Sequence, residues 1–87
     1  MNKKQRAKAS EALYMEVLRI LVTEREMRSP KMTREELAEE FNLHPSTAMR
    51  LENGTYKLEM ARFFEWCVIL GLDPLQVLSR ARQNLSK

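Results

Sequence analysis

The sequence contains few of the residues that interrupt helices and few that build chemical sites. Its 87 residues include two glycines, three prolines, one cysteine and one histidine. A single cysteine, Cys67, excludes an internal disulfide. With His44 as the one histidine, the chain has neither four zinc ligands nor a Cys/His nucleophile pair, and it has no glycine-rich phosphate loop. We therefore predict that the protein is not an enzyme and holds no metal and no cofactor.

Long hydrophobic runs are also missing. No apolar stretch approaches the roughly 20 residues that span a bilayer, and no hydrophobic signal segment follows the basic N-terminus. These absences predict a cytoplasmic protein without a membrane segment. The length and a hydrophobic content of 44% indicate one folded domain. A domain of this size buries only about 60–65% of its unfolded surface, so dimerisation would add useful stability.

The net charge of +3 is unevenly distributed. Four basic residues and no acid lie among the first ten, whereas glutamates collect near the middle of the chain. Basic ends are typical of proteins with an anionic partner such as nucleic acid, and a solubilising tail is the alternative. We predict a basic N-terminal arm, residues 1–10, and a folded domain, residues 11–87. The phosphate-binding candidates in the arm, called the basic segment below, are Lys3, Lys4 and Arg6.

Proline and glycine divide the chain into five helix-length pieces. No stretch alternates between apolar and polar residues, so strands are not expected and the predicted class is all-α. The first helix is expected from about Ala7 to Arg28, because Leu13, Val17 and Leu21 recur at helical spacing. Pro30 disfavours helix at the residue before it and ends this piece.

The second and third pieces carry marked boundaries. Thr33 followed by Glu36 is a capping box, in which each side chain accepts a hydrogen bond from the other's free backbone N–H. Asn42 tolerates the left-handed conformation that ends helices. His44 would then be the N-cap of a third helix, with Pro45 at its first position, where the missing N–H costs nothing.

The later boundaries are equally clear. Gly54 is expected to end the third helix and Gly71 to end a fourth helix that starts near Leu58. Asp73 and Pro74 form the cap and first position of a fifth helix. Each of these assignments depends on local backbone chemistry alone.

The connection between the second and third helices indicates how they pack. Asn42, Leu43 and His44 form a link too short for antiparallel packing over any length. The two helices must therefore cross steeply, which is helix-turn-helix geometry over about residues 33–53. In such a unit the second helix projects its N-terminal tip outward, and small residues there allow close approach to a DNA groove.

The residues of this unit resemble a known family. The segment TREELAEEFNLHPSTAMRLENG, residues 33–54, is similar to the helix-turn-helix of the phage repressor/Cro (Xre) family, whose pattern is roughly T-x-E-E-L-A-x-x-x-G-V-S-x-S-T-I-S-R-x-E-N-G. Residues 63–78 resemble the closing two helices of that family. The match covers about residues 32–78. It implies a five-helix repressor-like domain that binds double-stranded DNA at a pseudo-palindromic operator, as a dimeric transcriptional repressor.

The sequence departs from this pattern at several positions. Asn42 occupies the usual glycine position of the turn and His44 the usual serine cap. Ala48 replaces an isoleucine that faces the core, and Met49 replaces a small polar residue on the DNA side. The link between the first two helices is several residues longer than usual, and the basic N-terminus is an addition.

The resemblance also assigns DNA contacts. Arg50 would read a base, because its guanidinium matches guanine O6 and N7; an ion pair with Glu52 is the alternative. Met49 would touch a thymine methyl group or merely pack. The hydroxyls at the helix start would bind DNA or cap the helix, and the residues after Gly54 would contact phosphate or form a solvated loop. The candidate contacts are Arg34, Pro45, Ser46, Thr47, Met49, Arg50, Tyr56 and Lys57.

The closing helices carry surplus apolar surface. The fourth helix is apolar almost all round, and we assign its Phe63, Cys67 and Leu70 to the core. The remaining apolar residues predict a homodimer through the fifth helix; the alternative is that the long first helix covers them. The predicted interface residues are Trp66, Ile69, Leu75, Leu78 and Leu85.

A second functional class competes with DNA binding. Met49, Pro45 and the acidic second helix favour a protein-binding module of the same fold, such as an antiactivator or antitoxin-like partner of another regulatory protein. The basic segment, Arg34 and Arg50 favour DNA.

Overall fold

The computed structural model describes residues 1–87 and contains five α-helices and no strand. The predicted all-α class is therefore confirmed. In chain order, the helices are α1 (Lys3–Met27), α2 (Arg34–Glu40), α3 (Pro45–Asn53), α4 (Met60–Leu70) and α5 (Pro74–Leu85). No helix combines the length and the apolar character that crossing a bilayer would require.

Helix α1 begins earlier than the sequence predicted. Asn2 accepts a hydrogen bond from the Gln5 N–H at 2.8 Å, and the Gln5 side chain accepts one from the Asn2 N–H at 2.9 Å. This capping box makes Lys3 the first helical residue, so the basic segment lies on a helix that continues without a break past residue 10. The first buried residue of α1 is Val17. The first three turns of α1 are therefore a solvent-exposed extension of the domain.

The other helix boundaries agree with the capping chemistry read from the sequence. Thr33 and Glu36 exchange side-chain to backbone hydrogen bonds of 3.1 and 2.9 Å. Asn42 has φ 57° and Gly54 has φ 83°, so both end their helices in the left-handed region. Asp73 caps α5 by accepting from the amide two residues later at 2.9 Å.

All five helices contribute to one hydrophobic core, and α1 is its spine. Helix α1 packs against α3, α4 and α5, and α2 packs against α3. Gly54 at the end of α3 lies so close to α1 that a Cβ there would be 2.8 Å from the Met15 sulfur. The buried members of the core are Val17, Leu18, Ile20, Leu21, Leu37, Phe41, Leu51, Phe63, Trp66, Cys67, Val77 and Ala81.

The placement of Trp66 corrects the predicted dimer interface. Trp66 is 0% exposed, and its ring meets the Phe41 ring edge-on with the centroids 5.8 Å apart. The prediction that it lies at the interface is wrong. With Phe63 and Cys67 it forms the buried stripe of α4 at i, i+3 and i+4. Ile69 and Leu70 are half-buried at the edge of this stripe.

Candidate nucleic-acid interface

The α2–α3 turn holds the start of α3 in a defined position. The Leu43 N–H donates to the Ala38 carbonyl at 2.8 Å across the left-handed Asn42. His44 then caps α3, and its Nδ1 accepts from the Ser46 N–H at 3.1 Å. The Ser46 hydroxyl lies 2.8 Å from the same nitrogen. Ser46 therefore helps to build the helix start, and its hydroxyl already has a partner in the protein.

Helix α3 has one buried face and one exposed face. Ala48, Leu51 and Glu52 are buried, whereas Met49 and Arg50 are exposed. Pro45, one turn before Met49, is also exposed, while Ser46 and Thr47 are half-buried. Pro45, Ser46, Met49 and Arg50 share the face opposite the core, because they recur at intervals of three and four residues. This outward face, with Asn53 at the end of the helix, is the most exposed part of α3.

Arg50 makes no ion pair within the chain. The five ion pairs of the structure involve other arginines, and Glu52 is held by Arg25 and Arg34. The pairing of Arg50 with Glu52 that the sequence left open is therefore not formed. The guanidinium of Arg50 keeps all five of its N–H donors available on the exposed face.

A buried ionic cluster that the sequence did not indicate lies beneath α3. The Glu52 carboxylate accepts from Arg25 Nε at 2.6 Å and Arg25 Nη2 at 3.1 Å. Arg34 Nε donates to the same carboxylate at 2.8 Å, and Arg25 Nη1 donates to the Met32 carbonyl at 3.0 Å. We call Arg25, Glu52 and Arg34 the Arg–Glu–Arg cluster. It links α1, α2 and α3, so it fixes how the outward face of α3 is oriented on the domain.

Within this cluster Arg34 differs from Arg25. The side chain of Arg25 is 5% exposed and that of Glu52 is 3% exposed, whereas that of Arg34 is 42% exposed. Arg34 uses only Nε towards Glu52, which leaves its terminal N–H groups facing solvent. Two arginines and one glutamate give the cluster a net charge of +1. Arg34 is thus a partly exposed cation held in a fixed position beside α3.

The loop after Gly54 folds back onto the end of α3. The Tyr56 N–H donates to the Arg50 carbonyl at 3.0 Å, and the side chains of Tyr56 and Lys57 are exposed. The Leu58 N–H donates to the Tyr14 hydroxyl at 2.8 Å, which fastens the loop to α1. Tyr56 and Lys57 are therefore presented from an anchored loop.

The basic segment lies on α1, nearer its N-terminus than the point where the loop after Gly54 packs on this helix. Gly54 packs on Met15, and Arg6 precedes Met15 by nine residues, or about 13 Å of helix. Lys3, Lys4 and Arg6 are exposed. They stand on the helical extension, with no intramolecular ion pair.

Acidic side chains also lie near the helix-turn-helix. Glu35, Glu39 and Glu40 are exposed on α2. Glu36 is used in the cap, where the hydrogen bond from the Thr33 backbone N–H lowers its pKa. These carboxylates make the exposed side of α2 negative and would repel any polyanion there, whereas the α3 face and the loop carry no such cluster of acids.

Three of the remaining predicted interface residues lie on the surface, whereas Ile69 is half-buried against the core. Leu75, Leu78 and Leu85 are exposed on α5, although α1 packs against the opposite, buried side of that helix. The buried residues of α5 are Val77 and Ala81, whereas the three leucines stay partly exposed, from 39% at Leu78 to 74% at Leu75.

Comparison with known proteins adds nothing to these observations, since no protein-family model, no curated protein and no solved structure matches the chain.

Proposed function

We propose that the protein is a cytoplasmic, sequence-specific transcriptional regulator with a repressor-like helix-turn-helix fold. In this proposal it binds double-stranded DNA with α3 in the major groove and represses as a dimer on a pseudo-palindromic operator. The similarity of residues 33–54 to the Xre pattern supports this role.

One observation carries the proposal. The outward face of α3 presents Arg50 without an internal partner, and the carboxylate of Glu52, two residues away, lies on the buried face of the helix. Arg25 and Arg34 occupy that carboxylate instead. An exposed arginine that the fold keeps free of ion pairs suits recognition of an external acceptor, and a guanidinium bonds guanine O6 and N7 in a bidentate manner.

The surrounding residues then take roles that follow from their chemistry. Met49 packs on a thymine methyl group beside the base read by Arg50. The terminal N–H groups of Arg34 donate to a phosphate on one side of α3, and Tyr56 and Lys57 do so on the other. Phosphate contacts position the protein on the duplex, whereas base contacts specify sequence. Ser46 contributes mainly through the cap that it forms with His44.

A gel shift tests this function. The probe is a duplex that covers the region upstream of the protein's own gene, with an excess of random-sequence duplex as competitor. We expect a discrete shifted band that resists the competitor, because specific binding is typically 10³ to 10⁷ times tighter than non-specific binding. Binding that the competitor abolishes would show only phosphate attraction.

A second candidate function has its own support. The exposed glutamates of α2, together with the exposed Met49 and Pro45, form a mixed acidic and apolar surface that suits a protein partner. In that case the chain acts as a binding module for another regulatory protein. No duplex would then be bound above the competitor, and Arg50→Ala would leave the weak non-specific shift almost unchanged.

A further inference from the structure

We propose that a groove between α1 and α4 binds an acidic amphipathic helix of another protein. We call it the α1/α4 groove, and its main lining residues are Leu13, Tyr14, Val17, Met60 and Phe63. Leu78 is its one residue from α5, so most of the groove lies outside the predicted dimer interface. The partner would also cover basic residues assigned to DNA, a consequence that rests on the proposed function.

The α1/α4 groove is apolar and preformed. Seven of its eight lining residues are hydrophobic. The Leu58 N–H donates to the Tyr14 hydroxyl at 2.8 Å, which fixes the chain entering α4 against α1. Met60 is 64% exposed and Leu13 is 40% exposed, so the groove presents apolar surface to solvent in the folded protein. A preformed surface of this kind needs little ordering when a partner binds.

The volume of the groove suits inserted side chains rather than a free small molecule. The groove measures about 270 Å³ and is open to solvent. Pockets that enclose drug-sized ligands measure about 300–1,000 Å³. A partner helix lying in a groove instead inserts apolar side chains spaced at i, i+3, i+4 and i+7. A helix with one apolar stripe is therefore the occupant that fits.

The basic segment continues the line of the groove along α1. Ser10 lines the groove, and Arg6 and Lys3 precede it by four and seven residues, so these three share one face of the helix. Both cations are exposed, and neither makes an ion pair within the chain. Glu11 and Glu59 are close in sequence, but neither lines the groove. A partner lying along α1 therefore meets apolar surface and then positive charge.

The length of this surface sets the length of the partner helix. From Lys3 to Val17, α1 rises by about 21 Å, at 1.5 Å per residue. A docked helix of about 14 residues, or roughly four turns, spans this distance. Its apolar stripe would occupy the groove, and carboxylates near one end would pair with Lys3 and Arg6.

Other macromolecules match this surface less well. Duplex DNA would pair with the cations, but its backbone offers no apolar group to fill the groove. A helix that lies on a membrane needs a broad apolar face, and residues 2–12 contain no hydrophobic residue larger than alanine. The α1 helix of a second copy carries the same positive charges, which would repel those of the first.

Fluorescence anisotropy without DNA tests the docking site directly. The probe is a labelled synthetic peptide of about 18 residues, designed as an amphipathic helix with a leucine stripe at i, i+3, i+4 and i+7 and with glutamates elsewhere. We expect saturable binding to wild-type protein at micromolar concentration. A peptide of the same composition in scrambled order, and one with lysine in place of glutamate, should each bind about tenfold more weakly.

Variants of the protein locate the bound peptide. Met60→Glu alters a mostly exposed side chain and should weaken binding about tenfold, with an unchanged circular dichroism spectrum. Lys3→Glu combined with Arg6→Glu should weaken binding and remove most of its salt dependence, and it gives a second readout if Met60→Glu fails to fold. The matched controls are Met27→Glu and Lys31→Glu, which alter exposed residues at and beyond the far end of α1 and should bind as wild type does.

The outcomes separate docking from DNA binding. Wild-type protein that binds the probe no better than the scrambled peptide, or a folded Met60→Glu variant that binds it as tightly as wild type, overturns the proposal. Binding to vesicles of phosphatidylcholine and phosphatidylglycerol in place of the peptide also overturns it and assigns the surface to a membrane.

The effect of the peptide on DNA binding is measured separately. A docked peptide should weaken the binding of duplex DNA, because it covers the basic segment. Unchanged DNA binding with the groove occupied keeps the docking site and refutes only the assignment of that segment to phosphate. If the protein binds no duplex at all, the proposed function fails, whereas saturable binding of the peptide still supports the docking site.

Discussion

Removing Arg25 should be one of the most destabilising single changes in this protein. Arg25→Ala deletes two hydrogen bonds to Glu52 and one to the Met32 carbonyl. It leaves the buried Glu52 carboxylate with Arg34 as its one remaining cation. Breaking a buried ion pair in this way costs about 3–5 kcal/mol. Because Arg34 still neutralises part of the charge, we expect about 3 kcal/mol.

That loss is large for a domain of this size. A typical stability of 0.05–0.15 kcal/mol per residue gives roughly 4–13 kcal/mol for the whole chain. Each kcal/mol shifts the melting temperature by about 4–8 °C in a domain of 60–100 residues. Arg25→Ala should therefore melt roughly 12–24 °C below wild type when followed by circular dichroism. Urea unfolding should show a lower midpoint.

Two control variants separate the ionic contribution from general disruption. Arg34→Ala removes the half-exposed member of the cluster and should cost only about 0–1 kcal/mol. Arg25→Met combined with Glu52→Met replaces the whole buried pair by apolar side chains, and it should be more stable than Arg25→Ala. If Arg25→Ala costs less than Arg34→Ala, then Glu52 is not held mainly by Arg25, and its carboxylate is not withheld from Arg50 in the way its distances indicate.

Three further outcomes follow from the charges and burial. Replacing the basic segment with glutamine should lower the slope of log affinity against log salt by about 0.9 for each lost phosphate contact; an unchanged slope would reduce that segment to a solubilising role. The hydrogen bond from Arg19, aided by one from Asn84, lowers the pKa of Glu16 from 4.5 to about 2. The stabilising contribution of ionised Glu16 is therefore complete above pH 4.5 and is lost as the pH falls towards 2. Glu16→Gln should flatten the dependence of the free energy of unfolding on pH in that window, and an unchanged dependence would contradict the pairing of Glu16 with Arg19. Burial raises the pKa of the Cys67 thiol, so a thiol reagent at pH 8 should label it only after unfolding; rapid labelling of the native protein would show that it is not enclosed.

The helix ends could be predicted because capping is local. Thr33, His44, Gly54 and Asp73 act through backbone groups within a few residues, so the sequence contains all the information that their positions require. The start of α1 depends on a similar local signal, the capping box that Asn2 forms with Gln5, and it too could be predicted from the sequence.

The packing of α4 could not be predicted in the same way. A helix that is apolar almost all round has no polar face to fix its orientation, so the choice between Trp66 and Leu70 as core residues depended on the neighbouring helices. The proximity of Phe41 to Trp66 decides it. The buried pair of Arg25 and Glu52 joins residues 27 positions apart, and neither residue type is expected in a core.

The most direct test of whether α3 reads DNA through Arg50 is a selection of binding sites from a random duplex library. The affinities of wild-type protein and of Arg50→Ala for the selected duplex are then measured at one fixed salt concentration. For wild-type protein we expect an enriched two-fold-related sequence containing guanine. Arg50→Ala should lose about 1–3 kcal/mol of affinity for it and keep its affinity for random duplex. Its melting temperature should stay near that of wild type, because Arg50 has no internal ion pair. If wild-type protein enriches no sequence, or if Arg50→Ala binds the enriched duplex as tightly as wild type, then α3 does not read DNA through Arg50.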